Sequence, residues 1–457
     1  MRDLREFIET LDGADLKHVE REVHPAEFDV TGLLQNLENR DEYPAVLFEN
    51  PTDIEGRPTD IRLISNVFAD RRRVAQALDL PRDQWRMETS LEYARREQNR
   101  IEPQVVPRTE APVSAIEVPD LTYLPVVRHH RLDPAPYVNM TPSMKDPETG
   151  VYNVAFLRNM VKGPKKMGIH MSPRHNYRIY QTNSEQGEPT RMAVVCGHHP
   201  GYYLGSLTLA GFEVDEYDVI GGMFEEPLRL TPSETWGDEF LVPADAEVVI
   251  EAEIRPDDME VEAPFGEFPG YYGPQRLKPV VDVRHISRRE DAIFQHTFVG
   301  HRDVRILGSV PKEGGIYRDI AGRVPGVEQV YLPGSGCGRF RCYVSIDQDT
   351  EGEAKHAALQ ALASSDFVKQ VVVVDDDVDA FDEESVLWAV ATRMRPDEDM
   401  DVIKNVKGNT LDPSVRGEVA NSKVIIDATI HPDEQYPPRL DIPEDALERM
   451  QPEEYID

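Results

Sequence analysis

The chain has 457 residues, 40% of them hydrophobic, with 84 acidic against 50 basic side chains and a net charge of -34. Hydrophobic cores rarely grow past about 250 to 300 residues before a chain divides, so this length calls for two or three domains. The charge argues against nucleic acid as a partner, because neutralising phosphates takes basic patches and none is visible.

Acid is spread along the whole chain, and the basic residues are 38 Arg against 12 Lys. A strongly hydrated anionic exterior of this kind suits high salt, so a halophilic source is expected. No run of 18 or more apolar residues occurs and the N-terminus lacks the apolar core of a signal peptide, so the expectation is a cytoplasmic protein with no stable membrane insertion. Cys196, Cys337 and Cys342 have neither zinc-ribbon nor redox spacing and read as reduced structural thiols.

In chain order, residues 4–11 are amphipathic, residues 45–48 form a short buried strand between Pro44 and Asn50, and Asp70 caps a helix over residues 71–80. Pro-rich sequence over residues 102–119 predicts an extended connector. From about residue 121 to 300 the signals are mainly of strands, among them 247–254, 279–285 and 292–299, which predicts an antiparallel sheet or barrel. Beyond that, strand 341–346, helix 353–364, strand 371–374 and a helix 383–393 capped by Asp382 give the β-α-β-α order of a small mixed domain. A boundary is expected near residues 305–325.

The most informative stretch is Glu262-Ala263-Pro264-Phe265-Gly266-Glu267-Phe268-Pro269-Gly270-Tyr271-Tyr272. It holds two carboxylates in a Pro/Gly-rich, aromatic-flanked turn, a setting in which neighbouring carboxyls take different protonation states and do acid/base work. A second constellation runs from Asn153 and Arg158 to Arg174-His175, with Glu234 further on. Asn153 and Arg158 lie five apart, so on one strand they face opposite ways unless a bulge or turn intervenes. One imidazole nitrogen (His175), one amide oxygen (Asn153) and one carboxylate (Glu234) suit Mn²⁺ or Mg²⁺ better than structural zinc. Taken singly, a histidine or glutamate of this kind is equally a satisfied structural residue.

Neither G-x-G-x-x-G nor a Walker lysine motif is present, nor G-x-S-x-G or H-E-x-x-H, which removes the commonest NAD, ATP, serine-hydrolase and zincin readings. Asp375, Asp376, Asp377 and Asp379 follow a strand and precede a helix, where carboxylates favour the helix N-terminus; the structural reading is preferred to a second metal site. His198-His199 read as hydrated loop residues or as groups facing a substrate.

Glu262 to Glu267 with Gly270-Tyr271, Asn153 to Arg158, Arg174-His175, Glu234-Thr235 and Val242-Pro243-Ala244 together resemble the UbiD-type decarboxylases. The resemblance continues through Val373 to Asp379, Leu387-Trp388-Ala389, Leu411 to Ser414 and Ser422 to Thr429, covering nearly the whole chain. It implies an α/β (α+β) fold: an N-terminal mixed domain (1–110) around a split β-barrel that binds flavin (111–310), joined by a helix to a smaller C-terminal α/β oligomerisation domain (325–457). It implies a non-oxidative, reversible decarboxylase using prenylated FMN, with Mn²⁺ (or Mg²⁺) and K⁺ bridging the cofactor phosphate to the protein. Asn153, His175 and Glu234 match the metal positions and, with Arg158 and Arg174, the cofactor-binding positions, and Lys423 matches a lysine expected near the flavin phosphate. Arg158, Glu262 and Glu267 match the catalytic arginine and glutamates, with Glu267 as proton donor.

Implied partners are a small carboxylic acid substrate, a flavin prenyltransferase as cofactor supplier, and further copies of the chain in a dimer or hexamer. Hydroxybenzoates with or without a prenyl tail, cinnamate-like or heteroaromatic acids and anhydromevalonate phosphate all suit this centre. Three stretches depart from the family pattern: two extra residues between Glu234 and Val242-Pro243, Gly300-His301-Arg302-Asp303, and Gly197-His198-His199-Pro200. An FMN-binding redox protein and a catalytically silent subunit of the same fold are the rival readings.

Overall fold

The computed structural model describes residues 3–415 and 420–456. Its centre is a closed barrel of six antiparallel strands in the order Thr190–Cys196, Val248–Glu262, Arg276–Arg288, Lys166–His170, Leu157–Gly163 and Tyr137–Lys145, which pairs back onto the first. In Val248–Glu262 the first half is buried on both faces and the second half alternates. That is the pattern of a strand that runs through the core and then emerges with one face in solvent. The barrel expectation from alternating β-rich segments therefore holds.

The segment 292–299 differs from expectation. Only Ile293–Gln295 is a strand, and it leaves the barrel to lie parallel to Arg62–Ser65 in a four-stranded sheet completed by Ala45–Phe48 and Leu16–Val19. Its apolar, β-branched sequence fixes a buried strand but not which sheet receives it. Asp70 accepts a hydrogen bond from Arg72 N–H at the start of the helix Arg71–Ala77, as its cap position predicts.

A helix of 20 residues, Arg302–Ala321, runs from the barrel region to the C-terminal sheet. It packs closely on the helix Met87–Gln98, and a Cβ at Gly314 would come within 2.3 Å of the Ser90 carbonyl oxygen, so glycine is required at this crossing. There Glu313 is fully buried. It receives Arg71 Nη2 at 2.8 Å, Ser90 Oγ at 2.6 Å and Leu332 N–H at 3.1 Å, tying the N-terminal unit to the sheet beyond.

The C-terminal sheet has five strands in the order Val327–Tyr331, Arg341–Ile346, Gln370–Asp375, Ala420–Ala428 and Met400–Lys407. The helices Glu353–Ser364 and Glu383–Arg393 pack against it, and Asp382 caps the second through Glu384 N–H. Arg393 spans Asp375 (2.5 Å) and Asp377 (2.9 and 2.7 Å), so this acidic run anchors a buried guanidinium. Among the described residues no group of three or more His, Cys, Asp or Glu is placed to hold a metal, and no helix is long and apolar enough to cross a membrane.

Candidate active site

The turn after Val154 resolves the facing problem posed by Asn153 and Arg158. Asn153 lies on the short strand Tyr152–Val154, the chain turns at Ala155-Phe156, and Arg158 begins a new strand. There Arg158 stands opposite both Asn139 and His170 in the barrel register. Directly opposed residues share a face, so all three side chains point the same way.

Arg158 is buried and fully engaged. Its Nε and Nη2 donate to Glu262 Oε1 and Oε2, both at 2.9 Å, and Nη1 contacts Glu267 Oε1. Nη2 also lies 3.2 Å from His170 Nδ1. Burial first, and then the Arg158 charge, push the His170 pKa down to about 2, so the ring is neutral and its Nδ1 accepts. The turn that brings the two glutamates onto one guanidinium begins at Ala263, φ +76°, beside a cis Ala263-Pro264 bond. Gly266 N–H donates to Asp133 Oδ1 at 3.1 Å, and Glu267 N–H to the Tyr271 carbonyl at 2.9 Å. Glu262 is completely buried, whereas the Glu267 side chain keeps 14% of its surface open.

That opening is onto a cavity of about 170 Å³ lined by Phe156, Arg158, His170, Glu267, Phe268 and Arg339, among others. Its lining is largely apolar with a few convergent polar groups, the make-up of a ligand pocket.

Where the strand Tyr152–Val154 meets the start of the helix His175–Glu185, His175 Nδ1 lies 3.0 Å from Asn153 Oδ1, while Asn153 Nδ2 donates to Asn176 Oδ1 at 2.8 Å. The amide is thereby oriented with its oxygen toward the imidazole. The 3.0 Å separation is that of an ordinary N–H···O hydrogen bond, and it is also compatible with two ligand atoms about 2.1 Å from one Mg²⁺ or Mn²⁺ ion at right angles. Burial and the charges of Arg174 and Arg178 lower the His175 pKa, favouring the neutral ring a metal requires.

Glu234 does not join them. Its carboxylate lies 3.4 Å from Arg108 Nη1, its N–H donates to Glu251 Oε1, and no contact links it to Asn153 or His175. The carboxylate beside Asn153 is that of Glu216, whose Oε2 accepts from the neighbouring Val154 N–H. Glu216 is 5% exposed and has no cationic partner among the described residues. Burial raises the Glu216 pKa well above the ordinary carboxylate value, an environment in which the ionised form gains most from a nearby cation. The sequence signal was Asp215-Glu216 opening the apolar helix Glu216–Phe224, where Asp215 is the cap and Glu216 reads as an ordinary first-turn acid.

Arg174 reaches across to Asp366 of the C-terminal domain at 3.4 Å. Lys423 is buried and donates to the carbonyls of Leu362 (3.0 Å) and Ser365 (3.2 Å), closing the end of the helix Glu353–Ser364. His198 and His199 are neither hydrated nor among the cavity-lining residues. Both are buried, burial pushes each pKa to about 3, His198 stacks on Tyr202 at 4.8 Å, and His199 accepts from Gly201 N–H. In Gly300-His301-Arg302-Asp303, Asp303 accepts from Phe68 and Phe298 N–H and His301 meets Glu38 at 2.7 Å, so this stretch fastens the long helix to the N-terminal unit.

A barrel that brings a bidentate arginine–carboxylate pair and a second glutamate to one cavity defines a candidate lyase site. Comparison with known proteins gives the same class. Three family models match: the 3-octaprenyl-4-hydroxybenzoate carboxy-lyase N-terminal domain over residues 12–87, its Rift-related domain over 104–302 and its C-terminal domain over 305–428. An anhydromevalonate phosphate decarboxylase of Methanothermobacter thermautotrophicus is 34% identical over 311 residues, 68% of this chain and 73% of the relative. A phenolic acid decarboxylase of Sedimentibacter hydroxybenzoicus is 30% identical over 94% of this chain and 91% of its own. The UbiD-class enzyme HmfF of Pelotomaculum thermopropionicum, solved with FMN, superposes with a TM-score of 0.90 at 34% identity, covering 99% of this chain and 100% of that one. An evolved dimeric form of it, solved with prenylated FMN, gives 0.89 at 32%, covering 100% of both chains. The chain belongs to the UbiD family and is a carboxy-lyase.

Proposed function

We propose that this enzyme decarboxylates an aromatic or α,β-unsaturated carboxylic acid, reversibly and without net oxidation, with prenylated FMN as cofactor. The observation that carries the reading is the Arg158–Glu262–Glu267 array at the edge of the cavity. When bound, the prenylated flavin supplies an electrophilic sink for the electron pair left when carbon dioxide departs. Asn153, His175 and Glu216 would hold Mn²⁺ or Mg²⁺ at the cofactor phosphate, with Arg174 beside His175. K⁺ rests on the family resemblance, as does supply of the cofactor by a flavin prenyltransferase.

The residues of the chain do the rest. Arg158 is balanced by the fully buried Glu262 through two parallel charge-assisted bonds, which fixes the guanidinium in orientation. One guanidinium balances one carboxylate, so a proton held at this site falls to the second carboxyl, Glu267, whose open edge faces the cavity. Glu267 delivers that proton to the carbon that has lost carbon dioxide and recovers it from solvent for the next turnover. Apolar walls such as Phe156, Leu207 and Leu307 exclude water from the electron-rich carbon. Leu387, Met400 and Val402 stand about half exposed on the C-terminal domain, apolar surface that assembly into a dimer or hexamer would cover.

The test is to coexpress the chain with a flavin prenyltransferase and screen the purified protein against benzoate-type, cinnamate-type, heteroaromatic and isoprenoid acids, measuring carbon dioxide and product. Release of carbon dioxide from at least one class, dependent on the prenylated flavin, is expected. A fully loaded protein that decarboxylates none of them, while unmodified FMN in the same chain supports redox turnover, would overturn the reading.

A further inference from the structure

The cavity that Arg158 lines carries a second arginine that none of the described residues neutralises. Arg339 lines the same cavity as Glu267 and Phe268. Among the described residues its guanidinium has neither a hydrogen bond nor an ion pair. It rests on the Phe268 ring, 4.4 Å from the centroid, and its Nη1 is shut off from solvent without an acceptor. The residue as a whole is partly exposed, but a guanidinium nitrogen shut off from solvent without a partner is destabilising. Burial depresses the Arg339 pKa only to about 10, so the group stays charged and the missing partner is an anion.

Its position is built into the fold. A Cβ at Gly308 would lie 2.0 Å from Arg339 Nη2, so the long helix is cut back to glycine where the guanidinium lies. Lys312, one helical turn further along, is buried as well, with its amine 5.7 Å from the centre of the Phe367 ring and no ion pair. Burial, then the charges of Arg339 and Arg174, push the Lys312 pKa down to about 7. Asp366, the acid that this group of cations feels, is already the partner of Arg174. In a chain of net charge -34 this end of the cavity carries an excess of positive charge.

We propose that the substrate carries a second anionic group, a carboxylate or a phosphate ester, and that Arg339 binds it, making Arg339 a specificity-determining residue. The inference rests on the decarboxylase reading above. Arg158 is unavailable for this task because Glu262 and Glu267 occupy its nitrogens. Phe268, the platform under Arg339, directly follows the proton donor. The guanidinium therefore stands beside the reacting end of the pocket, while Asn153 and His175 stand where the cofactor phosphate is expected. The substrate is thus oriented with the carboxylate to be lost near Glu267 and the retained anion on Arg339.

Binding can be read without turnover by loading the protein with unmodified FMN and titrating it calorimetrically with benzoate, benzene-1,3- and 1,4-dicarboxylate, and the 3- and 4-phosphate esters of hydroxybenzoate. At least one dianion should bind roughly tenfold to a hundredfold tighter than benzoate, the scale of a hydrogen-bonded charge pair. A preference for dicarboxylate or for phosphate ester identifies which anion is native. Arg339→Met should bring the ratio close to one with full FMN content, and Arg339→Lys should restore part of it, since the charge returns without the planar fork. Gly308→Ala, which displaces the guanidinium, should lower the ratio in the same way. Equal binding of benzoate and every dianion by the unaltered protein overturns the proposal. So does an Arg339→Met protein that loses FMN, or one that weakens all ligands by one factor. With prenylated flavin bound, decarboxylation of monoacids as readily as of diacids would sink this inference alone. No decarboxylation of either would sink the reading beneath it.

Discussion

Arg158→Met removes the one cation that faces two carboxylates. Glu262 is completely buried and takes two bonds of 2.9 Å from Arg158, with no other cation bonded to it among the described residues. Breaking a buried pair from one side leaves an uncompensated charge and costs about 3–5 kcal/mol. The Glu267 contact is also lost, but that side chain keeps an edge open and contributes less. Replacing Glu262 by Gln in the same chain removes the orphaned charge, so the double variant should regain most of the loss, with a coupling of about 2 kcal/mol or more. The assay is urea unfolding of cofactor-free protein, followed by circular dichroism for the parent, Arg158→Met, Glu262→Gln and the double variant. Additive single effects, or an Arg158→Met protein within about 1 kcal/mol of the parent, would refute the claim that this pair is a closed charge unit.

The metal assignment predicts that Glu216→Gln lowers divalent metal and flavin content together, while Glu234→Gln, whose carboxylate faces Arg108, leaves both near the parent level; the reverse pattern in elemental and mass analysis would restore Glu234 as ligand. The Lys312 pKa falls from 10.5 to about 7 on folding, so between those values the unfolded chain binds the extra proton and stability rises with pH; below about 7 the penalty is complete. Lys312→Met should therefore stabilise the cofactor-free protein most at pH 6–7, with the difference shrinking toward pH 10 in urea midpoints; a pH-independent difference contradicts it. Density of negative charge predicts unfolding or dissociation as KCl falls from molar to tens of millimolar, and an unchanged melting temperature over that range would remove the halophilic expectation.

Local chemistry was legible where it is written contiguously. Glu262 and Glu267 share one turn, and the caps Asp70 and Asp382 announce themselves by residue type at a helix start. The barrel followed from alternating strands. What was not legible depends on which distant segments meet. Ile293–Gln295 reads as one more barrel strand because apolar periodicity carries no address for its partner. Glu216 looks like a helix-start acid until Val154 N–H and the absence of a cation are seen beside it. His198 and His199 look solvated as a polar pair before a proline, yet Tyr202 and Phe224 enclose them. Arg339 lies 181 residues from Arg158 in sequence, and only the long helix brings its strand-edge loop to the same cavity.

Proton delivery by Glu267 is the central claim, and heavy water tests it most directly. Glu267→Gln keeps the shape of the side chain but cannot give up a proton, so the protein loaded with prenylated flavin should lose at least about a hundredfold in decarboxylation, the scale of a positioned general acid. Incorporation of deuterium at the carbon that lost carbon dioxide should slow in step, with cofactor content unchanged. A loaded Glu267→Gln protein that turns over and incorporates deuterium at near-parent rates would contradict the account and pass the role of acid to Glu262.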